Sequence, residues 1–188
     1  MIQITIPAPT TEDWDEVNEE FIYHTVGKDI TICLEHSLVS ISKWESKWCK
    51  SFLSSVGSSN IDEEEFLDYI KCMTLTKNVP DDIYTRLTIE NIDKIYKYIN
   101  APMTATKFGK DIEKTSSKKI ITSERIYSWM ISLSIPFECQ KWHINRLLTL
   151  IRVCELQNSP PKKYSKQEIM KRNAALNAAR RNKLNSKG

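Results

Sequence analysis

The sequence is poor in glycine and lacks long apolar runs, and both shortages exclude classes of protein. Only 4 Gly occur in 188 residues, so glycine-rich loops that hold phosphate groups are nearly excluded. No stretch approaches the roughly 18 consecutive apolar residues of a membrane-spanning helix, so we expect none. Residues 1–10 lack the basic start and apolar core of a signal peptide. A cytoplasmic location is therefore the default expectation.

Recognisable catalytic and metal-binding patterns are also missing. The signatures of nucleotide binding, serine hydrolysis and zinc proteolysis do not occur. The 5 Cys are odd in number and form no C-x-x-C pair, which argues against a disulfide framework or a zinc ribbon. We expect free, mostly buried thiols. The sequence therefore predicts no enzyme, no catalytic or metal-ligating residues and no cofactor.

Charge is distributed very unevenly along the chain. Residues 158–188 carry nine Lys and Arg against the single acid Glu168, whereas the other residues carry 18 basic and 23 acidic side chains. We predict two parts: residues 1–157 as a helical domain with an N-terminal β element, and residues 158–188 as a basic linker with a helical tail. A basic tail on an acidic body is suited to binding a nucleic acid, another protein or its own body.

Near the N-terminus the apolar pattern is typical of β structure. Isoleucines alternate with polar residues over 2–6, as in a half-buried strand. The acidic stretch 11–20 is interpreted as a turn or a short helix. The β-rich runs 21–26 and 30–34 flank a short segment with Gly27, so they predict a hairpin with its turn at this glycine.

From Ser37 onward the apolar residues recur at helical spacing. Thr88 is predicted to cap one helix, and the Asn60 to Glu63 segment resembles a capping box. The fold class predicted is mainly α: a compact helical domain with a small N-terminal β-hairpin or sheet and a basic C-terminal helix. The later helices are expected at 123–133, 137–156 and about 166–184.

Three groups of side chains are candidates for functional sites. Cys139 and His143 are four residues apart and could bind a metal on one helix face, but a core cysteine and a hydrogen-bonded histidine are favoured. The acids at 63–65 point in different directions, so stabilisation of the helix dipole explains them better. Trp44 and Trp48 could form a nucleic-acid face with nearby lysines, yet they continue an apolar stripe and are interpreted as core residues.

The C-terminal helix is the strongest candidate for function. Its cations are spread around the helix rather than confined to one face, and it has too few apolar residues to build a core. Docking to a protein partner is favoured over nucleic-acid binding and over a merely solvated tail. The residues predicted to bind the partner are Lys162, Lys163, Lys166, Lys171, Arg172, Arg180, Arg181 and Lys183.

Several segments resemble proteins from the structural-gene clusters of tailed bacteriophages. The resemblance is carried by ITSERIYSWM at 121–130, IPFECQKWHINRLLTLIRV at 135–153 and NAALNAARR at 173–181. The Pro-Pro-Lys-Lys linker and the segment EHSLVSISKWE at 35–45 extend it over most of the chain. Within such clusters the chain is most similar to tail assembly chaperones of long-tailed phages. Those proteins have a similar size, a mainly helical fold and an aromatic-rich helix before a charged tail.

The resemblance implies a non-enzymatic chaperone that keeps the tape-measure protein soluble in the host cytoplasm while tail-tube subunits assemble around it. No catalytic residue carries over, because the family has none. The alternatives are a structural virion component, such as a head–tail connector or minor tail protein, and a nucleic-acid-binding packaging factor. The expected partners are the tape measure and the tail-tube subunits, with a homo-oligomer or a nucleic acid as alternatives and no membrane.

Overall fold

Helices make up most of the fold, and a small antiparallel β part lies near the N-terminus, which confirms the mainly α prediction. The computed structural model describes residues 1–57, 61–108, 120–159 and 166–184. Within this part, no helix combines the length and apolar character needed to cross a membrane. The chain divides into two compact units, Met1–Glu155 and Leu156–Gly188. The α-helices are α1 (Leu38–Trp48), α2 (Phe52–Gly57), α3 (Glu63–Met73), α4 (Ile89–Ile99), α5 (Ser123–Ser132), α6 (Ile144–Asn158) and α7 (Lys166–Leu184), with 3-10 helices at Asp81–Arg86 and Phe137–Lys141.

The four strands of the first unit form one long, interrupted hairpin. Strands β1 (Ile2–Ile6) and β4 (Ile30–Leu34) pair antiparallel, and we call this pair the inner ribbon. Strands β2 (Thr10–Asp15) and β3 (Glu20–Thr25) also pair antiparallel, and we call this pair the outer ribbon. The chain reverses between β2 and β3, where the Asp15 carboxylate accepts hydrogen bonds from the backbone amides of Val17 (2.8 Å) and Asn18 (3.3 Å).

The predicted hairpin between 21–26 and 30–34 is wrong. Of the turn or short helix predicted at 11–20, the turn is confirmed only at 16–19, and the residues on either side belong to β2 and β3. Residues between β3 and β4 interrupt one side of the long hairpin instead of reversing it. Pro7 and Pro9 on the opposite side have no amide to donate, so regular pairing stops there. Gly27 has a φ of 102°, a conformation that glycine adopts without strain. The Val26 amide donates to the Pro9 carbonyl at 2.8 Å, which links the two sides.

The core joins one face of the inner ribbon to the helices. Ile4, Ile6, Ile32 and Leu34 are all buried there, as the alternation of the first strand predicts. Trp44 of α1 is completely buried, and its indole N–H donates to the Glu65 carbonyl at 2.8 Å. Its predicted core role is confirmed, because α1 packs against α3 along this stripe. The other large, fully buried side chains are Leu38, Ile41, Phe52, Tyr69, Ile70, Met73 and Ile83.

Two helix starts show where the sequence signal was sufficient and where it was not. Thr88 caps α4 as predicted, since its side chain accepts from the Asn91 amide at 3.2 Å. The capping box predicted for Asn60 and Glu63 is wrong, because Asp62 occupies the N-cap and Glu63 is the first helical residue rather than the third. Asn60 itself lies outside the described residues.

The helix predicted over 137–156 is divided. Phe137–Lys141 forms a 3-10 helix, and Trp142 has extended backbone angles, with φ −74° and ψ 160°. The regular helix α6 starts only at Ile144, whose amide donates to the His36 carbonyl at 2.8 Å. This contact with a distant segment gives an acceptor to an amide that has none within its own helix. Cys139 and His143 therefore do not share a helix face.

Candidate interaction surfaces

Helix α7 carries most of the residues predicted to bind a partner. Alanine, leucine, lysine and arginine dominate its 19 residues and favour helix formation. Every α7 residue whose burial is described is exposed. These include the predicted residues Lys166, Lys171, Arg172, Arg180, Arg181 and Lys183, while Lys162 and Lys163 lie outside the described residues.

One stripe of α7 mixes apolar and cationic side chains. Ile169, Leu176, Arg180 and Lys183 follow helical spacing and lie on one side of the helix. Ile169 and Leu176 are 45% and 47% exposed. The six cations of α7 still surround the helix, as the sequence indicated, with only Glu168 as an acid. A helix of this composition has little apolar surface to bury within its own unit, so its stripe is available to a binding partner.

The outer ribbon is a second exposed surface, and its two faces differ in chemistry. Residues directly opposite each other in an antiparallel pair share a face. The register places Trp14 opposite Phe21 and Glu12 opposite Tyr23, which builds a face with three aromatic rings. The Trp14 and Phe21 ring centroids are 4.9 Å apart in an edge-to-face arrangement. The opposite face carries Thr11, Asp13, Asp15, Glu20, Ile22 and His24.

Both faces of the outer ribbon are open to solvent. All its strand residues are exposed except Asp15, which is half-buried. Residues 10–26 contain six carboxylates and no Lys or Arg, so the surface is strongly acidic. Sequence reasoning found the acids but missed the aromatic face, because it interpreted 11–20 as a turn. The available signal was the spacing of two residues between Phe21 and Tyr23, which places both rings on one face of a strand.

Titratable groups inside the first unit form a closed cluster around two histidines. The His36 and His143 ring centroids are 5.0 Å apart, and His36 Nδ1 shares a hydrogen bond with the Tyr69 hydroxyl. His143 Nε2 lies 3.0 Å from the Tyr98 carbonyl, and the Asn145 amide lies 3.3 Å from His143 Nδ1. The amide must donate to Nδ1, so Nε2 carries the proton and donates to the carbonyl. His143 is therefore a neutral ring with both nitrogens hydrogen-bonded.

Burial keeps this cluster uncharged. Loss of solvation and, to a smaller extent, the neighbouring His143 together lower the pKa of His36 to about 3. Burial also lowers the pKa of His143. Burial and the nearby Glu35 carboxylate raise the pKa of Tyr98, whose hydroxyl donates to Glu35 at 2.6 Å. Both histidines are almost fully buried. Through their hydrogen bonds to Tyr69 and to the Tyr98 carbonyl, they connect the end of β4 and the start of α6 to α3 and α4.

Two buried glutamates also connect helices. The Glu45 carboxylate accepts from the Phe52 amide at 2.9 Å and from the Ser123 amide at 2.7 Å, at the starts of α2 and α5. Glu65 lies in the first turn of α3, as the predicted dipole role requires, and it is also buried and pairs with Lys50. Glu63 and Glu64 are exposed in the first turn of α3, where the dipole role predicted for them applies.

The favoured interpretation of Cys139 and His143 is confirmed. Cys139 is buried in the core, and His143 has the hydrogen-bonded ring described above. Among the residues that the structure describes, no three His, Cys, Asp or Glu side chains are grouped so that they could hold a metal ion. The outer ribbon and α7 are thus two exposed surfaces of opposite charge in the described part of the chain. The chain matches no family model, and comparisons with curated proteins and with solved structures find no significant match.

Proposed function

We propose that this chain is a non-enzymatic, protein-binding assembly factor of the tail assembly chaperone kind. It binds the tape-measure protein or tail subunits in the host cytoplasm during virion assembly. The observation that carries the proposal is α7, a 19-residue helix that is exposed throughout its described side chains. Its excess of cations suits an acidic client, and its exposed apolar residues suit a helical one.

The binding energy comes from many small contributions. An exposed ion pair contributes about 0.2–1 kcal/mol, and salt weakens it. An apolar side chain that passes from full exposure to full burial contributes about 1.5–3 kcal/mol. The exposed apolar side chains of α7 are Ile169, Met170, Leu176 and Leu184. Each of them contributes less than this range, because part of its surface is already covered. A contact of this kind dissociates readily, which suits a factor that must release its client.

Co-expression with the tape-measure protein of the same gene cluster tests the proposal. We expect the full chain to keep this client soluble and to co-purify with it at about 50 mM salt and much less at about 500 mM salt. The variant Arg180→Glu/Arg181→Glu/Lys183→Glu should lose the client. A matched control, Lys77→Glu/Lys94→Glu/Lys141→Glu, changes the same charge at exposed positions of the first unit and should retain it.

Two other measurements distinguish the alternatives. Stoichiometric presence of the chain in purified virions would favour a structural component. Retardation of DNA at about 50 mM salt that the α7 variant abolishes would favour a packaging factor. A client that stays insoluble and unbound in the presence of the full chain contradicts the proposal.

A further inference from the structure

The outer ribbon is an isolated two-stranded element with an uncovered aromatic face. Trp14, Phe21 and Tyr23 are 52%, 56% and 61% exposed. A two-stranded hairpin that packs on nothing is marginally stable in water, and clustered exposed aromatic rings are typical of binding surfaces. Glu12 lies on this face, Glu16 and Glu19 lie in the turn next to it, and the other three acids lie on the opposite face of the same thin ribbon. These carboxylates disfavour an acidic occupant and favour a cationic one. The occupant should therefore be apolar and cationic at once.

We propose that the aromatic face of the outer ribbon binds α7 of a second copy of this chain. The charges are complementary: the ribbon segment has six acids and no Lys or Arg, and α7 has six Lys and Arg with one acid. Both surfaces are exposed, so neither loses an existing core contact on binding. The self-association goes beyond the proposed chaperone function and does not depend on a client.

The side-chain chemistry of the two surfaces also matches. Ile169 and Leu176 of the α7 stripe supply apolar groups to cover Trp14 and Phe21. Arg180 lies on the same stripe and can place its guanidinium over an aromatic ring. The chain makes such contacts elsewhere: the Arg146 guanidinium lies 4.1 Å from the Trp142 ring centroid. Contacts of this kind favour arginine over a smaller polar side chain.

The dimensions are compatible. The six-residue strands of the outer ribbon are about 20 Å long, and the turn beyond them adds Glu16 and Glu19. The 19 residues of α7 span about 28 Å. A helix laid along the ribbon would therefore place Ile169 and Lys183 at opposite ends of the acidic surface. Two copies that exchange their helices would each bury one aromatic face.

A charge-exchange experiment with two full-length variants tests the proposal. The ribbon variant is Glu12→Lys/Glu16→Lys/Glu19→Lys, and the helix variant is Arg180→Glu/Arg181→Glu/Lys183→Glu. In the ribbon variant residues 10–26 hold three lysines and three acids, so the net attraction for the cationic α7 is removed. In the helix variant the ribbon faces an α7 with three cations and four acids. We expect each variant alone to self-associate at least about tenfold more weakly than the wild type, since the three reversed charges remove attraction between the ribbon and α7. Light scattering without any client gives the mass.

Mixing the two variants gives the decisive result. The lysines introduced in the ribbon of one variant then meet the glutamates introduced in α7 of the other, and the remaining ribbon and helix are wild type. We expect the mixture to recover species heavier than one chain of 21.9 kDa at about 50 mM salt and to lose them at about 500 mM salt. Circular dichroism spectra of both variants should match the spectrum of the wild type. A lower mass of the associated species is then not caused by unfolding.

Two further variants separate the contact from general charge effects. Trp14→Ala should weaken self-association at low salt without changing net charge. The control Glu63→Lys/Glu90→Lys/Glu138→Lys makes the same charge change at exposed positions outside the ribbon and should leave the mass unchanged. A wild-type chain that stays monomeric at about 50 mM salt overturns the proposal, and so does a mixture that recovers nothing. Neither result concerns the client, so the chaperone proposal is tested separately.

Discussion

The inner and outer ribbons continue the same two sides of one hairpin, yet one is in the core and the other is in solvent. Ile4 and Ile32 of the inner ribbon are a cross-strand pair and are almost completely buried. Trp14 and Phe21 are a cross-strand pair in the outer ribbon and remain more than half exposed. Strand pairing therefore does not decide burial. Burial is decided by whether helices pack on the face that the pairing creates.

Charge explains why the two ribbons differ. The inner strands contain no Asp, Glu, Lys or Arg, so α4 can pack against β1 without removing a strand charge from water. The outer strands and their turn contain six carboxylates, and burying an unpaired carboxylate is costly. An acidic ribbon is thus excluded from the core of its own chain. Only a partner that brings cations can cover it at low cost.

Matched isoleucine truncations should give the largest difference between the ribbons. Ile32→Ala in the inner ribbon should lower the free energy of unfolding by about 3–4 kcal/mol, because it opens a cavity in a fully buried site. Ile22→Ala in the outer ribbon should change it by about 0.5 kcal/mol or less in the monomer. Urea denaturation at low protein concentration measures both. Similar losses for the two variants would remove the distinction between the ribbons.

A matched pair of glutamates sharpens the same comparison with a smaller effect. Glu45→Ala should cost about 2–3 kcal/mol, because it leaves the buried Phe52 and Ser123 amides without their acceptor. Glu12→Ala on the outer ribbon should leave the unfolding free energy within about 0.5 kcal/mol of wild type. Chemical denaturation under identical conditions compares them. A loss for Glu12→Ala as large as that for Glu45→Ala would show that the outer ribbon contributes to the folded core.

The smallest expected effect is a pH dependence at the end of the inner ribbon. Because the pKa of His36 is about 3 in the folded chain and about 6.5 when unfolded, the unfolded chain binds the extra proton between these values. The contribution of His36 to the free energy of unfolding is therefore fully present above about pH 6.5. It decreases as the pH falls, by at most about 1.4 kcal/mol per pH unit. Unfolding free energies measured between about pH 7 and pH 5 test it. His36→Gln should reduce the slope, and an unchanged slope would contradict the assignment.

Local patterns predicted most helices, but not the pairing of the strands. Thr88 was identifiable because a cap needs only its own helix. The segments at 21–26 and 30–34 looked equally suited to pair with each other, since alternation does not identify the partner strand. The correct pairing joins Ile6 to Ile30 across the whole outer ribbon. Such long-range pairing leaves no local signal in a single sequence.

The same limit applied to the candidate sites. The cations of α7 were visible as a charge bias along the chain, and α7 spans the range expected for it. Spacing drew attention to Cys139 beside His143, whereas the structure places His143 against His36. The aromatic face of the outer ribbon required the register between β2 and β3. Contacts between residues far apart in sequence depend on the packing of whole elements, which single-residue patterns do not contain.

By itself, the sequence determined the helical character and the separation of an acidic part from a basic one, because composition and local periodicity are properties of short segments. The prediction of mostly buried thiols is wrong, since only Cys139 of the five cysteines is buried. Tertiary structure alone decided which strands pair, which glutamates are buried and which aromatic rings remain in solvent. The physical reason is that burial and pairing depend on neighbours supplied by distant parts of the chain.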